Sequence, residues 1–116
     1  RMREVYAERL SALLEGARER LTGLLDISSI EAGLQTVGWL GNGITGEEAA
    51  TAAAARAVEV TPLGRYYRGR MPREGLQLGF AALDAAEIRR GVQELARALE
   101  GEARRARDPA SRVAGR

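Results

Sequence analysis

The sequence predicts an α+β domain, in which a small mixed or antiparallel sheet of three to four strands carries helices packed on one face. The first observation is an alternation of apolar residues with a period of two, which is typical of a strand. The apolar residues are Leu76, Leu78 and Phe80, and Gln77 and Gly79 lie between them. A second observation is that apolar residues at helical spacing follow this run directly, which predicts a strand leading into an amphipathic helix. The third is the order of the predicted elements: helix, two strands, helix, two strands, helix.

The length and composition fit one domain and exclude several kinds of chemistry. At 116 residues the chain is long enough for one core and too short for two. It contains no cysteine and no histidine. It also contains no lysine, because all eighteen basic residues are arginine. Disulfides, thiolate metal ligands, a histidine base and a Schiff-base lysine are therefore excluded within this chain, and no metal site is predicted.

The charge and the hydropathy favour neither a polyanion nor a membrane as the partner. The net charge is only +2, and the arginines are not clustered as a nucleic-acid footprint requires. No apolar run approaches the roughly 20 residues of a membrane span. The charged first residues lack the apolar core of a signal peptide, so a cytoplasmic location is expected.

Residues 3–21 are predicted to form the first helix. An apolar stripe runs along it between arginines and glutamates, and its members are Val5, Leu10, Leu13, Leu14, Ala17 and Leu21. Gly23 suits the end of this helix because glycine readily adopts the left-handed backbone found there. No capping residue precedes the helix, so the natural protein is expected to begin further upstream.

Two strands and a second helix are predicted next. The strands span 24–27 and 34–40, and the loop of about six residues between them is longer than a tight hairpin turn. Thr45 begins the helix, because Glu48 stands three residues on and completes a capping box. The alanine-rich interior at 49–57 is a strong helix former whose small side chains allow close packing on a sheet.

The second half of the chain is predicted to complete the sheet and to end in a helix. A third strand at 58–61 stops at Pro62, and the long loop 63–74 separates it from the period-two run. Asp84 and Glu87 form a second capping-box pair, so the last helix is predicted to begin there.

The domain is predicted to span residues 1–101 and to be followed by a disordered basic tail, 102–116. After residue 101 the sequence has almost no apolar content and contains five arginines, which is typical of a solvated chain end. Contact of these arginines with nucleic acid is the alternative interpretation.

The long loop carries the first candidate site, the cluster Arg65, Tyr66, Tyr67 and Arg68, together with Arg70 and Arg73. Planar cations beside aromatic rings suit phosphate binding or stacking on a base. The alternative is a solvated loop whose tyrosines pack on the rim of the sheet, since long loops often carry exposed arginines. A free-standing interaction module that binds a partner or nucleic acid through this loop is therefore one hypothesis for the chain.

Other conspicuous residues favour structural roles. The Gly-Asn-Gly at 41–43 lacks the lysine and the glycine spacing of a phosphate loop, so a turn with positive φ angles is predicted. Trp39, the single tryptophan, is expected to pack in the core or on a sheet face. No pair of carboxylates stands apart as an acid–base couple, so the chain alone is not predicted to be a self-contained enzyme.

Four stretches of the sequence carry a family resemblance. They read R-M-R-E-V-Y-A-E-R, G-L-Q-T-V-G-W-L, V-E-V-T-P-L-G-R-Y-Y and, above all, G-L-Q-L-G-F-A-A-L-D-A-A-E-I-R-R-G-V. Through them residues 1–100 resemble the C-terminal small domain of fold-type-I, pyridoxal-phosphate-dependent aminotransferases. The chain is most similar to the version fused to a GntR-type winged helix, the MocR family of bacterial transcription regulators.

The resemblance implies that the chain is one part of a longer protein. In such proteins the cofactor-binding lysine and most phosphate contacts lie in a large domain, and the DNA-reading helix lies in an N-terminal domain. No cofactor is therefore expected on this chain alone, and pyridoxal phosphate is expected in the full-length parent, a homodimer built mainly through the large domain. The expected partners are that large domain and a small amino-acid-like effector, with DNA bound only through the winged helix.

One position of the family pattern maps onto the period-two run. Where the family usually has an arginine that grips the α-carboxylate of an amino acid, this chain has Gln77. An amide donates hydrogen bonds without charge, so the resemblance favours a sensor or a changed ligand over ordinary transamination. The alternative is that Gln77 is a strand residue whose amide is satisfied within the protein.

Two functions follow from the resemblance. In the first, the chain closes the effector and cofactor site of a GntR/MocR-type regulator, is not active alone, and biases DNA binding through that closure. In the second, it is the small domain of a pyridoxal-phosphate-dependent amino-acid aminotransferase, and the parent is an enzyme.

Overall fold

The computed structural model describes residues 2–31, 35–41, 43–66, 73–80 and 83–107 and confirms the α+β class. The described elements, in chain order, are α1 (Met2–Gly16), a π-helical turn (Ala17–Leu21), β1 (Leu25–Glu31), β2 (Gln35–Leu40), α2 (Gly46–Ala54), β3 (Val60–Pro62), a 3-10 turn (Leu63–Tyr66), β4 (Gly75–Gly79) and α3 (Ala85–Arg107). None of the helices in this part of the chain combines the length and the apolar character that crossing a bilayer requires.

The four strands form one sheet in the order β1-β2-β4-β3, and every neighbouring pair is antiparallel. The last strand of the chain thus lies between two earlier ones, with Val37 of β2 and Thr61 of β3 opposite Gln77 of β4. α2 serves as the crossover: it carries the chain from β2 past the position of β4 to the edge strand β3.

The core lies between one face of this sheet and the three helices. From β4 it receives Leu76 and Leu78, both fully buried. From α3 it receives a stripe of fully buried side chains at helical spacing, namely Ile88, Val92, Leu95, Ala96 and Leu99. Full burial of a large apolar side chain stabilises the fold by roughly 1.5–3 kcal/mol, so α3 and β4 contribute much of the stability of this core.

Both predicted capping boxes are present. Thr45 Oγ1 accepts a hydrogen bond from the Glu48 N–H at 3.1 Å, and Glu48 Oε1 accepts one from the Thr45 N–H at 3.0 Å. In the same way Asp84 Oδ1 accepts from the Glu87 N–H at 2.8 Å, and Glu87 Oε1 accepts from the Asp84 N–H at 2.9 Å. The starts of α2 and α3 therefore follow from local sequence.

The first strand is longer than predicted. β1 continues to Glu31, so the six-residue turn predicted after Ile27 is wrong. The register with β2 shifts between Ile27 and Ser29, which marks a bulge, and pairing then resumes as far as Gln35 opposite Glu31. Hydrogen bonding to β2 outweighs the turn preference of the serines. Residues 32–34 of the predicted turn and strand lie outside the described residues.

β3 and α2 also differ from the predictions at their ends. β3 begins at Val60 instead of Val58 and includes Pro62, which an edge strand tolerates because one of its sides is unpaired. α2 ends at Ala54, inside the alanine run, and Ala57 adopts a φ of 62°. The chain therefore turns within the alanines, although their helix propensity predicts a continuing helix.

α3 runs past the domain boundary predicted at residue 101 and ends at Arg107, so the prediction of disorder is wrong for residues 102–107. Ala103 is 2% exposed, and Arg105 donates to Glu102 at 2.9 Å across one helical turn. This stretch is helical because one side packs on the core while the other is charged. The rest of the predicted tail, 108–116, lies outside the described residues.

α1 has the predicted position, but its buried face differs from the predicted stripe. Ala12 and Leu13 are fully buried, whereas Leu14, which the stripe included, is 42% exposed. The helix passes into the π-helical turn Ala17–Leu21, and Gly23 follows with a φ of 83°, as expected for a glycine at a helix end.

Replacement of Leu13 by alanine is expected to lower the free energy of unfolding by about 2–5 kcal/mol, because it opens a cavity in the core. Leu14→Ala removes the same atoms from an exposed position, and its expected effect is below about 1 kcal/mol. Urea denaturation followed by circular dichroism measures both changes. Equal losses from these two neighbours would contradict the observed orientation of α1.

Candidate functional site

The helices cover one face of the sheet, and the described residues leave the other face uncovered. We call this second side the open face and define it by Val37, Trp39, Thr61 and Gln77, all of which are half-buried. Val37, Gln77 and Thr61 lie side by side in three adjacent strands. The open face is therefore continuous across β2, β4 and β3.

Gln77 occupies the centre of the open face. It is the middle residue of β4, and its chain neighbours Leu76 and Leu78 are fully buried on the other side of the sheet. The prediction that Gln77 lies opposite the leucines is confirmed. Because β4 is hydrogen-bonded to a strand on each side, the backbone that carries this amide is held at a fixed position.

Trp39 packs on the open face, one of the two positions expected for it. Its ring lies over Gly75, where a Cβ atom would come within 2.8 Å of both Trp39 Cε3 and Leu63 Cδ1. Glycine is therefore required at Gly75 for the close approach of ring and strand. The guanidinium of Arg73 lies over the Trp39 ring. Its Cζ atom is 5.7 Å from the ring centroid, which is within the range of a cation–π interaction.

The predicted Arg/Tyr cluster is described only in part. Arg65 donates to Glu47 Oε1 of α2 at 3.4 Å, and both side chains are exposed. Such a pair contributes little to stability, because solvent screens it. The backbone of Tyr66 ends the 3-10 turn, but its side chain, with all of Tyr67 and Arg68, lies outside the described residues. A ligand-binding role for this cluster therefore stays a prediction.

The end of the same loop is tied to the first turn of α2. Glu74 Oε1 accepts a hydrogen bond from the Gly46 N–H at 2.7 Å, at a partly buried position. A carboxylate there satisfies one of the free N–H groups of the helix start and interacts favourably with the helix dipole. The Glu74 carbonyl also accepts from the Leu40 N–H at 2.9 Å. These two contacts fix the point at which β4 begins.

The sequence pattern groups Arg73 with the loop cluster but does not link it to Trp39, and it does not identify Glu74 at all. Each acts on an element distant in the chain, since Glu74 bonds to α2 and Arg73 lies over a side chain of β2. Local spacing contains no sign of such contacts. The one available signal was that both residues directly precede the strand that carries Gln77.

The described carboxylates are used mainly for structure. Those of Glu48 and Glu87 complete the capping boxes, and those of Glu94 and Glu102 accept from arginines at 2.8–3.1 Å. Across the described ranges, no group of three acidic side chains is arranged to hold a metal ion. The four residues that define the open face, Val37, Trp39, Thr61 and Gln77, carry no acid or base among them.

A separate cleft of about 420 Å³ lies where β4 ends and α3 begins, and its lining includes Arg56, Phe80, Arg90 and Glu94. Arg56 donates to Glu94 across it at 3.1 Å. The cleft contains none of the predicted site residues, and its walls carry charges of both signs, which select no single class of ligand.

Solved structures with the same fold define the class of protein. The chain superposes on α-aminoadipate aminotransferase LysN from Thermus thermophilus, complexed with N-(5'-phosphopyridoxyl)-L-leucine, with a TM-score of 0.74 and 27% identity over 85% of its length. For kynurenine aminotransferase from Pyrococcus horikoshii, in complex with PMP, the TM-score is 0.75 with 25% identity over 86% of this chain. Each match covers 25% of the solved chain, so the fold corresponds to one quarter of an aminotransferase.

Two curated relatives connect this aminotransferase-like fold to a family of regulators. Over 95 residues the chain is 33% identical to the probable rhizopine catabolism regulatory protein MocR of Rhizobium meliloti and 32% identical to the uncharacterized HTH-type transcriptional regulator YhdI of Bacillus subtilis. Both alignments cover 82% of this chain but only 19% and 20% of the relatives. No protein-family profile matches the chain. The chain is a homologue of the MocR-type regulators and represents their aminotransferase-like part.

Gly75→Ala is expected to destabilise the fold by about 1–3 kcal/mol, because the new methyl group overlaps Trp39 and Leu63 and nothing can relieve the overlap without moving the ring. Gly79→Ala, in the same strand, provides the matched control, since no atom lies within 4 Å of a Cβ there. Denaturation midpoints and the emission of Trp39 measure the two effects. An unchanged tryptophan spectrum in Gly75→Ala would contradict the packing of the ring over this glycine.

Proposed function

We propose that this chain is the small, effector-facing domain of a MocR/GntR-type transcription regulator. In this proposal its open face closes over a cofactor and an effector that the large domain of the same parent protein holds. The observation that carries the proposal is the position of Gln77 at the centre of an uncovered sheet face, in a chain homologous to regulators of this type. The phosphopyridoxyl ligand of one solved relative and the PMP of another support pyridoxal phosphate as the cofactor of the parent.

The residues of this chain do not fit covalent attachment of pyridoxal phosphate. The cofactor is an aldehyde that a lysine amine holds, and this chain has no lysine. Attachment therefore belongs to the rest of the parent. What the open face contributes in the proposal is a rigid wall that orients the effector and excludes water from it.

Gln77 is proposed to bind the effector through its side-chain amide. An amide donates two hydrogen bonds but carries no charge, so it holds a carboxylate more weakly than the two-pronged guanidinium of arginine. Lower affinity for the carboxylate at this position suits a sensor, because the occupancy of a site that releases its effector readily follows the effector concentration. The same change works against an enzyme, in which tight orientation of the amino acid accelerates the reaction.

The readout is proposed to be DNA binding by an N-terminal winged helix of the parent. An effector can shift the parent between open and closed arrangements only if it binds one of them more tightly. Contacts with the open face exist only when the small domain is closed, so they supply that difference in affinity. A homodimeric parent that acts in the cytoplasm is part of the same proposal.

The second candidate is the small domain of a pyridoxal-phosphate-dependent amino-acid aminotransferase. The observation that favours it is that both solved relatives are aminotransferases, at 27% and 25% identity. The coding sequence upstream of Arg1 distinguishes the two candidates, since a regulator requires a winged helix there and an aminotransferase does not.

Substitution of Gln77 by arginine in the full-length parent tests both candidates. A charge-assisted pair contributes roughly 1.5–3 kcal/mol, so Gln77→Arg is expected to tighten binding of amino acids by about tenfold or more. Under the regulator proposal this variant releases or binds DNA at lower amino-acid concentration, while transamination stays at background. Calorimetry, DNA electrophoresis and an amino-transfer assay measure the three properties.

Gln77→Met serves as the matched control, because it keeps the length of the side chain and removes its donors. It is expected to weaken the response to the effector. No gain in amino-acid affinity with Gln77→Arg would remove the carboxylate role from this position, and efficient turnover by the unaltered parent would favour the enzyme.

A further inference from the structure

We propose that Arg73, which lies over the ring of Trp39, is a second carboxylate-binding side chain of the open face, beside Gln77. Its ligand would be a small organic acid whose carboxylate is received by the guanidinium. This inference rests on the proposed function in one respect, namely that the open face is the side on which a ligand binds.

The position of Arg73 is set by packing. The Trp39 ring is held against Gly75 and near Leu63, and Arg73 Cζ lies 5.7 Å from the centre of that ring. A cation over an aromatic face is attracted through its charge, and the attraction does not use an N–H donor. The ring therefore attracts the exposed guanidinium and leaves its donors for a ligand.

The charge of Arg73 is not neutralised by the acidic groups described nearby. Ion pairs between described residues use four other arginines, Arg56, Arg65, Arg97 and Arg105. The next residue, Glu74, directs its carboxylate to the Gly46 N–H. Trp39 is paired with Asp26 of β1 on one side and with Gly75 of β4 on the other. The ion pairs between the described residues do not join Asp26 to Arg73.

A carboxylate is the ligand group that this arrangement fits best. The guanidinium is flat and has its donors in one plane, so it can bind the two oxygens of a carboxylate together. Gly75, under the ring, and Gln77 are two residues apart in β4, about 7 Å along the strand. The ligand class is therefore an acid with a second polar group a few bonds away, which lies toward Gln77.

The test is a titration of this chain with glutarate, a dicarboxylate, at constant ionic strength, with neutral glutaramide as the reference probe. Trp39 is the single tryptophan, so its indole N–H gives one resonance that reports on the ring under Arg73. Glutarate is expected to shift this resonance in a saturable way, and glutaramide is not.

Three variants locate the effect. Arg73→Gln, which removes the charge, is expected to raise the apparent Kd for glutarate about five- to tenfold. Arg73→Lys, which keeps the charge but loses the flat donor set, is expected to raise it about two- to threefold. Arg89→Gln, an exposed arginine on α3, is the control and should leave the apparent Kd unchanged. The same spectra report whether each variant is folded.

An equal shift with glutaramide, or an unchanged apparent Kd in Arg73→Gln, would overturn the inference. The two proposals can fail separately. If glutarate shifts the Trp39 resonance of this chain but the parent does not respond to amino acids, Arg73 remains a carboxylate site and the proposed regulator function is wrong. If the parent with Arg73→Gln responds to amino acids as well as the unaltered parent does, the regulator function is retained and the carboxylate role of Arg73 is wrong.

Discussion

The register of β4 is the constraint on which the rest of the structure depends. With Leu76 and Leu78 on the core side, the period of two requires Gln77 to lie on the open face. A slip of one residue would bury the glutamine and expose both leucines, so burial of the leucines also selects the position of the candidate ligand group. Packing and the proposed ligand position are therefore determined by the same five-residue strand.

Contacts at the start of β4 hold this register independently of the core. Glu74 joins the strand to the first turn of α2 and, through its carbonyl, to the end of β2. Gly75 follows directly and admits the Trp39 ring. The residues that hold the register and the residues proposed to bind a ligand thus overlap in a stretch of five positions, 73–77. Alteration of the ligand side of this stretch is therefore coupled to the stability of the sheet.

Local patterns in the sequence predicted the parts of the fold that depend on local chemistry. The capping pairs begun by Thr45 and Asp84 marked two helix starts correctly, and the alternation around Gln77 identified both β4 and its two faces. The kinship with MocR-type regulators came from a resemblance of four stretches, above all this strand with its following helix, and the relatives confirm it.

The errors arose where distant contacts decide the structure. β1 extends through serines because β2 supplies partners for its backbone, and α3 continues to Arg107 because Ala103 packs on the core. The contact of Arg73 with Trp39 and the role of Glu74 were missed because their partners, Trp39 and Gly46, lie far away in the sequence. Composition and spacing reflect a residue's neighbours in the chain, and they do not predict which distant element packs against it.

Residue-resolved hydroxyl-radical labelling of Trp39 tests most directly whether the open face is the functional side. The side chain is half-buried in this chain, and the account requires the large domain to cover it further. Oxidation of Trp39 should therefore be slower in the full-length parent than in this chain, and slower again when cofactor and effector are both bound. Equal oxidation of Trp39 in the chain and in the liganded parent would show that this face stays open to solvent, and would contradict the account.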